Sequence, residues 1–220
     1  MKRFLSMISL VCACTLVQAQ TALPPVWQSD TQKEVQVSTR TIAYLPPTRI
    51  VWQETTGDSS IQGLENLLLP GNGQADLFDG QITRIKNGAT GKASFLLDFG
   101  RELQGGIQVV TGRSSKKEMK IRVRFGESVS EAMCDITPEN GATNDHAIRD
   151  FYLTLPWLGV AEIGNSGFRF VRIDLEEPDA ELSLKEIRAT FGYRNIPYLG
   201  SFKCDNERLN DIWMTGAYTV

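Results

Sequence analysis

The chain has 220 residues, 26 of them acidic and 23 basic, for a net charge of −3. That balance gives no general attraction to nucleic acid or to an anionic lipid surface. A single histidine and four cysteines without any CxxC spacing leave no zinc-ligand set.

Lys2 and Arg3 precede an apolar run at 4–17, and Val17, Gln18 and Ala19 form a small-residue cleavage site. Residues 1–19 therefore read as a signal peptide, and the protein is expected to be exported to the periplasm or beyond. A competing reading has Val11, Cys12 and Ala13 ahead of a lipid-anchored Cys14, but apolar residues continue past it to Val17. The run falls short of the about 20 apolar residues that span a membrane, and no later segment approaches that length. Cleavage removes two basic residues and leaves a net charge of −5, with Cys134 and Cys204 as the remaining thiols, read as free. Residues 20–34 read as a leader.

From Val35 to about 197 the pattern is that of strands. VQVST at 35–39, TRIVWQ at 48–53 and ITRI at 82–85 are short candidates, separated by the turn-rich PGNGQ at 70–74 and NGATG at 87–91. SFLLDF at 94–99 and GIQVVT at 106–111 are two apolar runs joined by a glycine-containing stretch, as in a hairpin. MKIRVRF alternates strictly: Met119, Ile121, Val123 and Phe125 take a buried face, and Lys120, Arg122 and Arg124 a wet one. Residues 126–148 form a long polar connection in which Pro138, Asn140, Gly141 and Asn144 argue against regular structure. DFYLTL at 150–155 alternates again. In LSLKEIRATF the apolar phase slips by one at Lys185 and Glu186, which a β-bulge absorbs. Many short strands without interleaved helices predict an all-β fold, an antiparallel β-sandwich or jelly roll, over 35–197.

The last residues change period. Asp205 stands where an N-cap belongs and Glu207 in the first turn, and Leu209, Ile212, Trp213, Gly216, Ala217 and Val220 recur on one helical face. No stopping signal follows. Two readings are open: a terminal helix docked on its own domain, or the start of a further domain whose chemistry lies beyond residue 220.

The residues offer little catalysis. His146, beside Asp145, lacks a nucleophile elbow and reads as a solvated loop residue. Asp135, Glu139, Asn140, Asn144 and Asp145 lack the spacing of a calcium loop. The glycines of DFGRELQGG lack the context of a phosphate loop and read as turn formers. No cofactor is expected. Trp27, Trp52, Trp157 and Trp213 carry flat faces suited to stacking on sugar rings; Trp157, in LPWLG, is the one expected to be exposed and is the candidate carbohydrate-binding residue.

Three segments, DFGRELQGG at 98–106, NSGFRFVRIDL at 165–175 with Glu162 shortly before it, and GSFKCDNERLNDIWMTGAYTV at 200–220, together resemble bacterial α-L-rhamnosidases of glycoside hydrolase family 78. The resemblance spans about 40–220. It implies a non-catalytic β-sandwich, then a linker and first helix (198–220) of an (α/α)6 barrel that packs on Leu209, Ile212 and Trp213. The implied partner is a rhamnose-containing glycan. The family's inverting acid and base belong to the barrel, so no catalytic residue maps onto this chain. Arg169 is implied to be a structural ion-pair partner, with Asp98, Glu102 and Glu127 as its candidate neighbours. The alternative is a free-standing carbohydrate-binding module, using Trp157 and the 126–148 connection as one platform.

Overall fold

The computed structural model describes residues 40–77, 80–137, 139 and 149–219. The signal and leader, Cys14, Trp27, the VQVST strand, His146 and, of the 126–148 connection, residues 138 and 140–148 lie outside them.

The described residues form nine antiparallel strands: β1 (Thr41–Leu45), β2 (Arg49–Thr55), β3 (Ser60–Gln62), β4 (Thr83–Asn87), β5 (Ala93–Thr111), β6 (Glu118–Gly126), β7 (Arg149–Pro156), β8 (Gly159–Leu175) and β9 (Ala180–Tyr193). A 3₁₀ turn (Leu64–Leu68) and the helices α1 (Val129–Met133) and α2 (Glu207–Tyr218) accompany them. The expected all-β antiparallel architecture is present. After the strands comes a helix, α2.

Two strands are too long to stay in one flat sheet. The first half of β5 pairs with β2 and with the end of β8, whose other edge carries β6 and then β7. Its second half pairs with β9 and with the start of β8, and β9 in turn carries β1 and β4. The change of partners falls at register shifts after Asp98 and after Gly105, where Gly100 has φ +85°. Phe95, Leu97, Val123, Phe125 and Val171 from one half and Ile107, Val109, Leu182, Leu184 and Ile187 from the other share a single core, the mark of a sandwich.

Several sequence expectations meet this arrangement directly. Met119, Ile121, Val123 and Phe125 are fully buried. The phase slip in β9 is a bulge, since Val110 faces Glu186 and Thr111 faces Leu184, leaving Lys185 as the extra residue. Three expectations are corrected. SFLLDF and GIQVVT are not the arms of a hairpin; they lie on one strand, β5, because the glycines bend the chain without reversing it. The connection after β6 is not wholly irregular: Ser128 and Glu131 form a capping box that starts α1, and Ala132 and Met133 cover Leu96, Phe170 and Trp52. The supposed wet stripe on β6 is wet only at one end. Lys120 lies over the Tyr152 ring, Arg122 is bound by Asp150, and Arg124 is 2% exposed, clamped between Asp135 and Asp174. Alternation identified the non-core face; it carried no information that α1 and its flanking carboxylates cover that face.

The Arg124–Asp174 pair is buried on both sides, whereas Lys92–Glu176 has its lysine 60% exposed. Removing one partner of a buried pair leaves an uncompensated charge. Asp174→Ala is expected to lower stability by about 3 kcal/mol in urea unfolding, and Lys92→Met by less than about 1 kcal/mol.

Candidate functional site

Three surfaces carry organised polar chemistry. The first is built at the bend of β5. The Asp98 carboxylate accepts from Gly100 N–H at 2.7 Å and from Arg169 Nε at 2.8 Å through one oxygen. Through the other it accepts from Arg49 Nε at 2.9 Å and Arg169 Nη2 at 3.0 Å. Arg169 therefore grips it bidentately, and Asp98 is the neighbour among the three candidates. Beside this pair, Phe99 meets Phe168 edge to face at 5.6 Å. Tyr218, at the end of α2, donates its hydroxyl to the Glu102 carbonyl at 2.6 Å and faces Phe191. Asp98, Phe168–Arg169 and Tyr218 come from the three separate segments that carry the sequence resemblance, and the fold brings all three to one place.

The helix that delivers Tyr218 is capped one residue later than the sequence implied. Asn206, not Asp205, accepts from Arg208 and Leu209 N–H, while Asn210 bonds both backbone groups of Cys204 and fixes the approach of the chain. Leu209 and Ile212 are 47% and 58% exposed, and Trp213 is half-buried. The apolar face of α2 thus stays largely uncovered.

The second surface is the β7–β8 turn bearing Trp157, whose side is 42% exposed. The turn is rigid: Trp157 N–H donates to Lys117 O, Ser114 N–H donates to Trp157 O, and Thr111 Oγ1 bonds the backbone of Pro156 and Gly159. Of the 126–148 connection expected to join it in a platform, residues 138 and 140–148 lie outside the described residues. β6 and β7 pair from Glu118–Pro156 to Phe125–Arg149, so both ends of that connection lie at the far end of the hairpin from Trp157, about 25 Å away at ordinary strand rise.

The third surface was not singled out from sequence. Register sets Glu162, Gln108 and Arg188 directly opposite one another on β8, β5 and β9. Arg188 Nε donates to Gln108 Oε1 at 2.7 Å, and Gln108 Nε2 donates to Glu162 Oε1 at 2.6 Å. Glu186 lies one step along the same face, its carboxylate accepting from Gly73 N–H and standing 3.8 Å from Arg188 Nη1. The Tyr44 ring covers the Arg188 guanidinium at 4.0 Å. Once the bulge at Lys185 is placed, alternation puts Glu186 and Arg188 on the non-core face; only cross-strand register shows what they meet there.

Among the described residues, no group of three or more His, Cys, Asp or Glu is arranged to hold a metal, and no helix is long and apolar enough to cross a membrane. Asp135, a candidate oxygen ligand from sequence, is engaged by Arg122 and Arg124. Cys134 and Cys204 are free thiols.

No protein-family model matches the chain. No curated protein matches it. Among solved structures it is similar to a rhamnosidase from Klebsiella oxytoca with rhamnose bound, at 13% identity and a TM-score of 0.51, over 79% of this chain and 33% of that one. It is also similar to a family 78 rhamnosidase of Bacillus sp. GL1, at 18% identity and a TM-score of 0.43, over 67% of this chain and 14% of that one. A fucose-binding module of Streptococcus pneumoniae matches at 12% identity and a TM-score of 0.43, over 67% of this chain and 96% of that module. The chain spans about a third of the length of the Klebsiella rhamnosidase. Fold and comparison together define an antiparallel β-sandwich protein.

Burial pushes the Asp98 carboxyl up, but the bonds from Arg169, Gly100 and Arg49 outweigh it and hold the group at about 2, below its ordinary 3.8. A depressed folded value contributes stability that is complete above the ordinary range and disappears as pH falls through about 2. Acid unfolding is therefore expected to release about 2 kcal/mol through this group. Asp98→Asn should lower stability at neutral pH and flatten the pH dependence of unfolding between pH 3.8 and about 2.

Proposed function

We propose that this chain is the non-catalytic β-sandwich portion, with the first barrel helix, of an exported α-L-rhamnosidase of the family 78 type. The parent enzyme would remove terminal α-L-rhamnosyl residues with inversion, using two carboxyl groups beyond residue 220. The observation that carries this reading is the convergence of the three resembling segments. Asp98 is bonded to Arg169, Phe99 packs on Phe168, and Tyr218 reaches Glu102. Such contacts give each segment a physical reason to keep its residues in company with the others. The uncovered Leu209 and Ile212, with Trp213 beside them, suit a helix that receives a partner domain.

The chain itself is expected to release no rhamnose from an aryl rhamnoside. Turnover abolished by one carboxylate substitution within residues 40–219 would sink the proposal. Reading the gene past codon 220 should show helical hairpins and an acidic catalytic motif; an immediate stop codon would count against it. In the longer product, amides around Leu209 and Ile212 should exchange with deuterium far more slowly than in the 220-residue chain.

The exposed, rigidly held Trp157 supports a second reading, a carbohydrate-binding module that works without a barrel. It predicts saturable binding of a rhamnose-containing glycan by the 220-residue chain, weakened by roughly tenfold in Trp157→Ala. Isothermal calorimetry measures both.

A further inference from the structure

We propose that the cleft beside Tyr44, on the outer face of β9, is a binding site for a neutral sugar, separate from Trp157. The cleft measures about 30 Å³ and is lined by Tyr44, Pro46, Pro70, Glu186 and Arg188, among others. That volume takes one ring substituent, a hydroxyl or a methyl, rather than a whole pyranose. The ring would lie against the outer surface, where Tyr44 is 48% exposed and offers an apolar platform.

The floor is charged and mostly withdrawn from solvent: the Glu186 and Arg188 side chains are 6% and 14% exposed. Arg188 uses Nε on Gln108, and neither of its terminal amino groups has an acceptor within hydrogen-bond distance among the described residues. Both terminal nitrogens therefore keep contact with solvent and can exchange water for an acceptor on a ligand. Arg188 and Glu186 both line the cleft, so a side chain that donates and one that accepts stand side by side there. Adjacent hydroxyls of a sugar both donate and accept, and they match this pairing.

Two features make the floor rigid. Register and hydrogen bonds lock Arg188 to Gln108 and Gln108 to Glu162. The loop above lies so close that a side-chain carbon on Gly71 would fall 2.0 Å from the Glu186 carboxylate, and one on Gly73 would fall 1.8 Å from Arg188. Lys185, the bulge residue, fastens that loop through the Gln74 carbonyl, Asn72 and Asp76. Charge selects a neutral ligand over an anion. Arg188 is already faced by Glu186, and the Glu162 carboxylate at the end of the row adds negative charge.

This inference does not rest on the rhamnosidase reading, because the test concerns direct binding to the chain. Saturation-transfer NMR with methyl α-L-rhamnoside, methyl β-D-glucoside and glucuronate, each taken to about 50 mM, covers the millimolar range expected of so small a contact. Saturable binding of at least one neutral glycoside is expected, weakened at least about fivefold in Tyr44→Ala and in Arg188→Gln, and unchanged in Trp157→Ala. Tyr44 is on an edge strand and exposed, so its variant keeps the test meaningful if Arg188→Gln fails to fold. Absence of saturable binding, preference for glucuronate, or binding lost in Trp157→Ala but kept in Tyr44→Ala would overturn the proposal.

Discussion

Where β5 leaves one half of the sandwich for the other, its ladder is interrupted between Asp98 and Leu103, and the chain needs a group to satisfy the backbone it exposes there. The Asp98 carboxylate does this by accepting from the Gly100 N–H, and Gly100 supplies the positive φ that the bend requires. The same carboxylate is nearly fully buried, so it needs cations: Arg169 from β8 and Arg49 from β2 provide them. One side chain thereby sets the bend and joins three strands. Phe99, next in the chain, is directed into the core against Phe168, so polar and apolar halves of the motif hold the same junction.

The two faces of the sandwich depend on that junction in different ways. On the first half, α1 and the carboxylates near it cover a row of arginines. Arg124 is clamped by Asp135 and Asp174, and Arg172 lies between Asp174 and the Trp52 ring. These arginines are matched by acids and read as structure. On the second half, register brings Glu162, Gln108 and Arg188 into a row whose last member lines a cleft. The difference between a closed ion network and a binding floor lies in what covers the face, a helix in one case and a tight glycine loop with an exposed tyrosine in the other.

Much of the fold was legible in the sequence. The strict alternation of MKIRVRF, the phase slip at Lys185 and the exposed turn at Trp157 all follow from side-chain period and local turn chemistry, and the structure has each of them. The choice of Asp98 as the neighbour of Arg169 was open among three acids until the register was known. The supposed hairpin failed because a glycine can bend a strand or reverse it, and composition does not tell which. Which end of the β6–β7 hairpin Trp157 and the start of the long connection each occupy was likewise a matter of register that composition does not carry.

The sequence by itself determined the class of fold, the period of its strands, the bulge in β9 and the amphipathic character of α2. These are local properties, decided by each residue and its near neighbours along the chain. The tertiary structure alone decided that Arg124 is buried, that three distant segments meet around Asp98 and Glu102, and that Arg188 stands beneath Tyr44 beside Glu186. Each of those facts joins residues tens of positions apart across paired strands, and only register, together with what covers each face, brings them within bonding distance.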